Sequence, residues 1–131
     1  MPHSRKIKKL GRTKSHRDAM TKNMLRSLFL HEQIKTTVAK AKHVKRQADR
    51  LISFAKEKTQ ASNRIIFKYL QDRSQVNHLV NEIAPRFDKH NGGYTKVLRL
   101  GHRPGDCAEM ALLELTVKKH KETTKKAPEK K

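Results

Sequence analysis

The segment Gly101 to Cys107 reads GHRPGDC and contains residue types from which catalytic loops are built. Cys107 is the chain's only cysteine, and His102 stands five residues before it. A thiol becomes a nucleophile when a neighbouring base takes its proton, so a Cys–His pair is the first chemistry to weigh. Closeness in sequence is thin support, because such pairs are defined in space. Asp106 has two readings here: it caps the turn, or it fixes Arg103. The nearby Asn91 to Thr95, NGGYT, shares only its glycines with a phosphate-cradling loop. It lacks the G-x-x-x-x-G-K-[ST] spacing, and a strand rather than a helix follows. The eight histidines form no HExxH pattern, and no second cysteine completes a C-x-x-C pair, so no metal site is expected. The acids lie scattered among bases, a pattern of local ion pairs rather than of a general acid and base. No catalytic residue, cofactor or small-molecule substrate is expected.

Charge points elsewhere. The 131 residues carry 32 Lys and Arg against 12 acids, a formal +20, with 34% hydrophobic residues. That length suits one domain, and that composition suits a small core. Self-repulsion of this size is relieved by a polyanion. Residues 1–58 hold 17 bases and 4 acids, residues 59–117 hold 8 and 6, and residues 118–131 hold 7 and 2. The first half and the tail are therefore electrostatic, and the middle resembles an ordinary domain. One cysteine precludes an internal disulfide and suits a reducing compartment. No apolar run approaches the ~18 residues of a membrane span, and no apolar stretch follows the basic start as in a secretory signal. Residues 1–17 lack acids, as transit peptides do, but they run without a break into a helix.

The elements that would position these groups follow from periodicity. Residues 1–14 form a basic arm too poor in apolar side chains to fold alone. A helix is expected from Ser15, with Ser15 and Asp18 as a capping box. Its apolar face comprises Met20, Met24, Leu25, Leu28 and Phe29, with Lys22 and Arg26 pointing away. Residues 31–38 alternate and predict a short strand. From Val38 to Lys58 the stripe Ala41, Val44, Ala48, Leu51, Ile52 and Ala55 predicts a long helix with basic side chains over the rest. Shorter helices are expected at Asn63–Leu70 and Gln75–Ala84, the latter stopped by Pro85. Residues 94–100 and 111–117 alternate with period two around a Gly101–Gly105 turn, predicting a hairpin with an apolar side packed below it. Residues from Lys118 onward are expected to be a disordered tail. The predicted class is α+β: a two-layer domain over residues 15–117, in which a helix, a strand, three helices and a two-stranded hairpin build a small mixed sheet. There is no internal repeat.

Three patterns carry a resemblance. SHRDAM stands at Ser15–Met20, RSLFLHEQIKTT at Arg26–Thr37 and GGYTKVL at Gly92–Leu98. Together they resemble the bacterial-type large-ribosomal-subunit protein seventeen family across residues 3–117. The resemblance implies a two-layer α/β fold and a structural role in the large subunit, bound to its ribosomal RNA near the nascent-chain exit tunnel. Neighbouring large-subunit proteins are the other implied partners, the location is cytoplasmic rather than organellar, and no membrane is involved. At Asn63–Leu70 the chain reads NRIIFKYL, where the family often carries a second Arg, so no RNA contact is assigned to that helix. The Lys-rich tail extends past the family's common core, and Cys107 falls where the family varies.

The expected RNA-binding residues lie on four elements. The arm supplies Arg5, Lys6, Lys8, Lys9, Arg12 and Lys14. The first helix supplies His16, Arg17, Lys22, Asn23 and Arg26, and the long helix supplies Lys40, Lys42 and Arg46. Arg86 and the hairpin residues Tyr94, Lys96, Arg99, His102 and Arg103 complete the set. Each phosphate neutralised contributes about −0.7 to −0.9 to the slope of log K against log salt, so ten engaged bases predict roughly −7 to −9. Phe87 is assigned to the core; Tyr94 is open to core packing or to stacking on a base. Aromatics are only 5% of residues, which disfavours stacking-driven binding. Three rivals stand beside this reading. A DNA-architectural protein is permitted by charge alone. A cationic membrane-surface protein would need bulkier apolar faces than a half-alanine stripe provides. An enzyme acting through Cys107 needs the base described above.

Overall fold

Seven apolar residues of α2 (Val38–Glu57) set the centre of the molecule: Val38, Ala41, Val44, Ala48, Leu51, Ile52 and Ala55 are buried. Their spacing of three and four keeps them on one side of a 3.6-residue helix. The small alanines allow close approach, and α2 touches the sheet on one side and the other helices along its flanks. The computed structural model of the chain describes residues 8–119. Arg5 and Lys6 of the expected arm, and residues 120–131 of the expected tail, lie outside the described residues.

The chain order is α1 (Lys14–His31), β1 (Gln33–Thr37), α2, α3 (Gln60–Leu70), α4 (Arg73–His78), β2 (Thr95–His102) and β3 (Glu109–Leu115). This is the α/β order expected, with one correction: the sheet is antiparallel throughout, not mixed. The strand order is β1-β3-β2. β1 and β2 run the same way, but β3 lies between them and opposes both. Ile34, Leu113 and Val97 stand in register across the inner face, and Ala111 and Leu115 are fully buried beside them.

Several boundaries move for physical reasons. α1 starts at Lys14 behind Thr13, and no side chain caps it. Ser15 is already helical, so the expected capping box does not form. α4 begins at Arg73 because the Asp72 carboxylate accepts the Ser74 N–H at 2.9 Å. The chain then widens into a π-helical turn over Leu79–Ile83 and tightens into a 3-10 turn over Ala84–Phe87. Pro85 sits at the start of that turn, where a missing N–H costs nothing, so it redirects the helix rather than ending it. α1, α2 and α3 end on left-handed residues that are not glycine: Glu32, Lys58 and Gln71. Lys118 and Lys119, expected in the tail, lie against the body. Lys118 bonds Glu114 and Gln33, and the Lys119 N–H donates to Glu32 at 2.8 Å.

On β3 the alternating apolar residues face inward as read from the sequence, and on β2 the inward side is that of Thr95 and Val97. Thr95 is buried and Val97 half-buried, whereas Leu98 and Leu100 are 43% and 49% exposed. The Thr95 hydroxyl and N–H both donate to Asp49 of α2, at 2.7 and 3.0 Å, which fixes the inward face. Both faces of β2 carry apolar residues, so alternation alone does not choose between them.

Candidate nucleic-acid interface

The GHRPGDC segment is a hairpin tip, not a reaction centre. Asp106 does both of the things proposed for it. Its carboxylate takes Arg103 Nε and Nη2 at 3.0 and 2.5 Å and the Ala108 N–H at 3.3 Å. Those bonds, the Arg103 side chain's foremost, hold its pKa at about 2. His102 Nδ1 lies 3.0 Å from the carbonyl oxygen of Cys107, not from its thiol. Cys107 itself is exposed and takes a left-handed φ of 52°. Among the described residues no three His, Cys, Asp or Glu side chains gather as a metal ion would need, and no helix is long and apolar enough to cross a membrane.

The expected contact residues separate into free and engaged groups. Lys8, Lys9, Lys14, His16 and Asn23 are exposed around the start of α1, as are Lys42 and Arg46 on α2; Lys22 and Lys40 are half-buried. Arg17 reaches back to the carbonyls of Lys9 and Arg12 at 3.4 and 3.3 Å, and the Arg12 N–H closes a turn on Lys9. The described end of the arm is thus tied to α1 rather than waiting for RNA to order it. Arg12 itself donates to the Leu10 carbonyl.

Five others hold the protein together. Arg26 Nε donates to the Leu70 carbonyl at 2.5 Å, at the C-terminal end of α3 where backbone acceptors lack helical partners. Arg86 pairs with Glu32 at 2.8 Å. Lys96 pairs with Glu114 at 3.0 Å, and Arg103 is held by Asp106. Tyr94 is 4% exposed and packs edge-on against the buried Phe87 ring, 5.4 Å between centroids, with the Lys56 ammonium above it. It belongs to the core and offers no stacking face. Arg99 remains open, 67% exposed and 4.0 Å from Glu109.

Where α1, α2 and α3 meet, a cleft of about 300 Å³ is lined by Asp18, Thr21, Lys22, His43, Gln47, Lys68 and Tyr69. Of these, only Lys22 is among the expected RNA contacts. His43 Nε2 lies 3.1 Å from the Thr21 hydroxyl, which itself donates to the Arg17 carbonyl at 2.8 Å. That hydroxyl therefore accepts, and the neutral ring carries its proton on Nε2. Burial first, then Arg17 and Arg46, push the His43 pKa down, against a smaller opposing pull from Asp18. The same cations raise the local potential at which a phosphate would sit. The signal available in the sequence was Lys22, His43 and Lys68 on three successive helices, but only tertiary packing joins them.

A small α/β body with most of its free bases on α1 and α2, and with His102 and Cys107 engaged in turn geometry, defines a polyanion-binding structural protein. Comparison with known proteins makes this specific. Residues 20–116 match the family described as ribosomal protein L17. The chain is also similar to the large ribosomal subunit protein bL17 of Fusobacterium nucleatum, 47% identical over 115 residues, spanning 88% of this chain and 99% of that one. The chain belongs to the ribosomal protein L17 family. It is accordingly a structural ribosomal component and not an enzyme.

Proposed function

We propose that the chain is a structural constituent of the large ribosomal subunit that binds and braces the subunit's ribosomal RNA, near the nascent-chain exit as the resemblance to its family implies. Its place is the cytoplasmic ribosome, beside neighbouring large-subunit proteins. The observation that carries the reading is the allocation of acids. Glu32, Glu82, Asp106, Glu109 and Glu114 each lie within 4.0 Å of a basic side chain. Asp49, Glu57 and Asp72 accept from Thr95, Ser62 and Ser74. Lys8, Lys9, Lys14, Lys22, Lys40, Lys42, Arg46 and Lys68 have no acidic side chain within 4.0 Å among the described residues. Phosphates are the partners that such a surface fits.

Binding to intact large-subunit rRNA across a salt series tests this. Eight engaged cations give a slope of roughly −6 to −7. Equal affinity for duplex DNA at the same salt would favour the DNA-architectural reading, which has charge alone behind it. Crosslinks from residues 3–26 and 94–103 to rRNA would map the contacts.

A further inference from the structure

The chain has six aromatic side chains, four Phe and two Tyr. Phe67 is the only one that stands exposed, at 44%. It belongs to none of the expected contacts. Its helix does not need it for packing, since Ile66 and Leu70 on α3 are fully buried. Gln60, Asn63, Arg64 and Phe67 recur at i, i+3, i+4 and i+7, which puts them on one face of α3.

That face and α4 enclose a groove of about 370 Å³, completed by Arg73, Val76 and Asn77. The volume is at the lower end of small-ligand clefts, which run from about 300 to 1,000 Å³. Val76 is 7% exposed and forms apolar floor beside the Phe67 ring. Asn63 Oδ1 is buried and without a hydrogen-bond partner. Arg64 and Arg73 are exposed, and neither has an acidic side chain within 4.0 Å among the described residues. The nearest acid in sequence, Asp72, is turned to the N–H and hydroxyl of Ser74.

We propose that this groove takes one unpaired RNA nucleotide, its base stacked on Phe67 and its phosphates met by Arg64 and Arg73. The chemistry matches part by part. A free aromatic face accepts any base. Side-chain amides supply both donors and acceptors for a base edge, and Asn63 and Asn77 both line the groove. Two unneutralised guanidiniums suit phosphates. A protein partner would instead call for a wider apolar surface than one ring and a floor residue. The site rests on the rRNA-binding reading above and adds a base contact to what is otherwise a phosphate interface.

The test uses the full chain and protein-free, intact large-subunit rRNA at fixed salt. Phe67→Ala and Phe67→Leu are each expected to lose about tenfold in affinity, the scale of one base stack. Phe67→Tyr should stay within about twofold. None of the three should change the salt slope, whereas Arg64→Ala should make it shallower by about one phosphate. Phe67→Leu binding like wild type would overturn the proposal, because an apolar contact would then suffice. So would Phe67→Ala and Phe67→Leu both binding like wild type. Should Phe67→Ala fail to fold, the Leu and Tyr variants decide the matter between them. Wild-type protein that ignores rRNA would overturn the parent reading and this one together; wild-type binding with unaffected Phe67 variants overturns this site alone.

Discussion

Arg86 Nη1 lies 2.8 Å from Glu32 Oε1 and joins residues 54 positions apart. The pair ties the left-handed end of α1 to the 3-10 turn after α4, and Glu32 also receives the Lys119 N–H. Both side chains are largely covered, at 17% and 15% exposure. Replacing Arg86 with Ala leaves a largely covered carboxylate without its charged partner. Urea unfolding at neutral pH should show a loss of about 2–3 kcal/mol.

The same pair sets a pH dependence. Burial pushes the Glu32 carboxyl up, but the Lys119 amide and Arg86 outweigh it and hold the pKa below 4.5. A carboxylate whose folded pKa is depressed contributes its full stability above the unfolded value and loses it as pH falls through the folded one. The gap between wild type and Arg86→Ala should therefore be complete above about pH 4.5 and shrink below it. Unfolding curves at a series of pH values check this; a gap that widens in acid contradicts it.

Arg26 is expected to behave as a structural residue, although its sequence context places it among the RNA contacts. Arg26→Ala should lower stability by about 1–3 kcal/mol, from the unsatisfied Leu70 carbonyl, and leave the salt slope of rRNA binding unchanged. Arg46→Ala should do the opposite, keeping stability and making the slope shallower by about 0.7–0.9. Measuring both quantities on both variants separates the roles.

His43 should report RNA at the α1–α2–α3 cleft. In the free protein burial, Arg17 and Arg46 disfavour its charged form. Because its folded pKa lies below 6.5, the free fold loses stability as pH drops from 6.5 towards the folded value. A phosphate beside Lys22 and Lys68 reverses the local field and should raise the His43 pKa. NMR titration of the ring, free and with rRNA bound, would show the shift; an unchanged value would place the RNA elsewhere.

Asp106→Asn should loosen the hairpin tip. Amide exchange at Ala108, whose N–H the Asp106 carboxylate accepts at 3.3 Å, is expected to quicken in the variant. Wild type should keep its slow exchange into acid, because the Asp106 pKa is about 2.

What the sequence made legible was whatever repeats along one element. The α2 stripe, the Leu25, Leu28 and Phe29 face and the two hairpin strands all follow from local period. Charge totals likewise pointed to a polyanion. Partnership between distant residues was hidden. Nothing near Arg86 or Arg26 announces Glu32 or the Leu70 carbonyl, and so both looked free. Which side of β2 packs was hidden as well, because period two marks a face without saying what covers it. Nothing in the sequence of α3 marks Phe67 as exposed, because that depends on which side Ile66 and Leu70 turn inward.

The left-handed helix ends have a cost and a use. A non-glycine residue there gives up about 1–2 kcal/mol of backbone comfort. Glycine would relax Glu32 and Gln71, yet it would drop the grip of one on Arg86 and the 3.4 Å approach of the other to Arg26. Retaining side chains at these elbows fixes the angles between α1, α3 and the turns beyond them within the protein itself. Such a body carries its own jig: the angles of its elbows are set before any partner arrives.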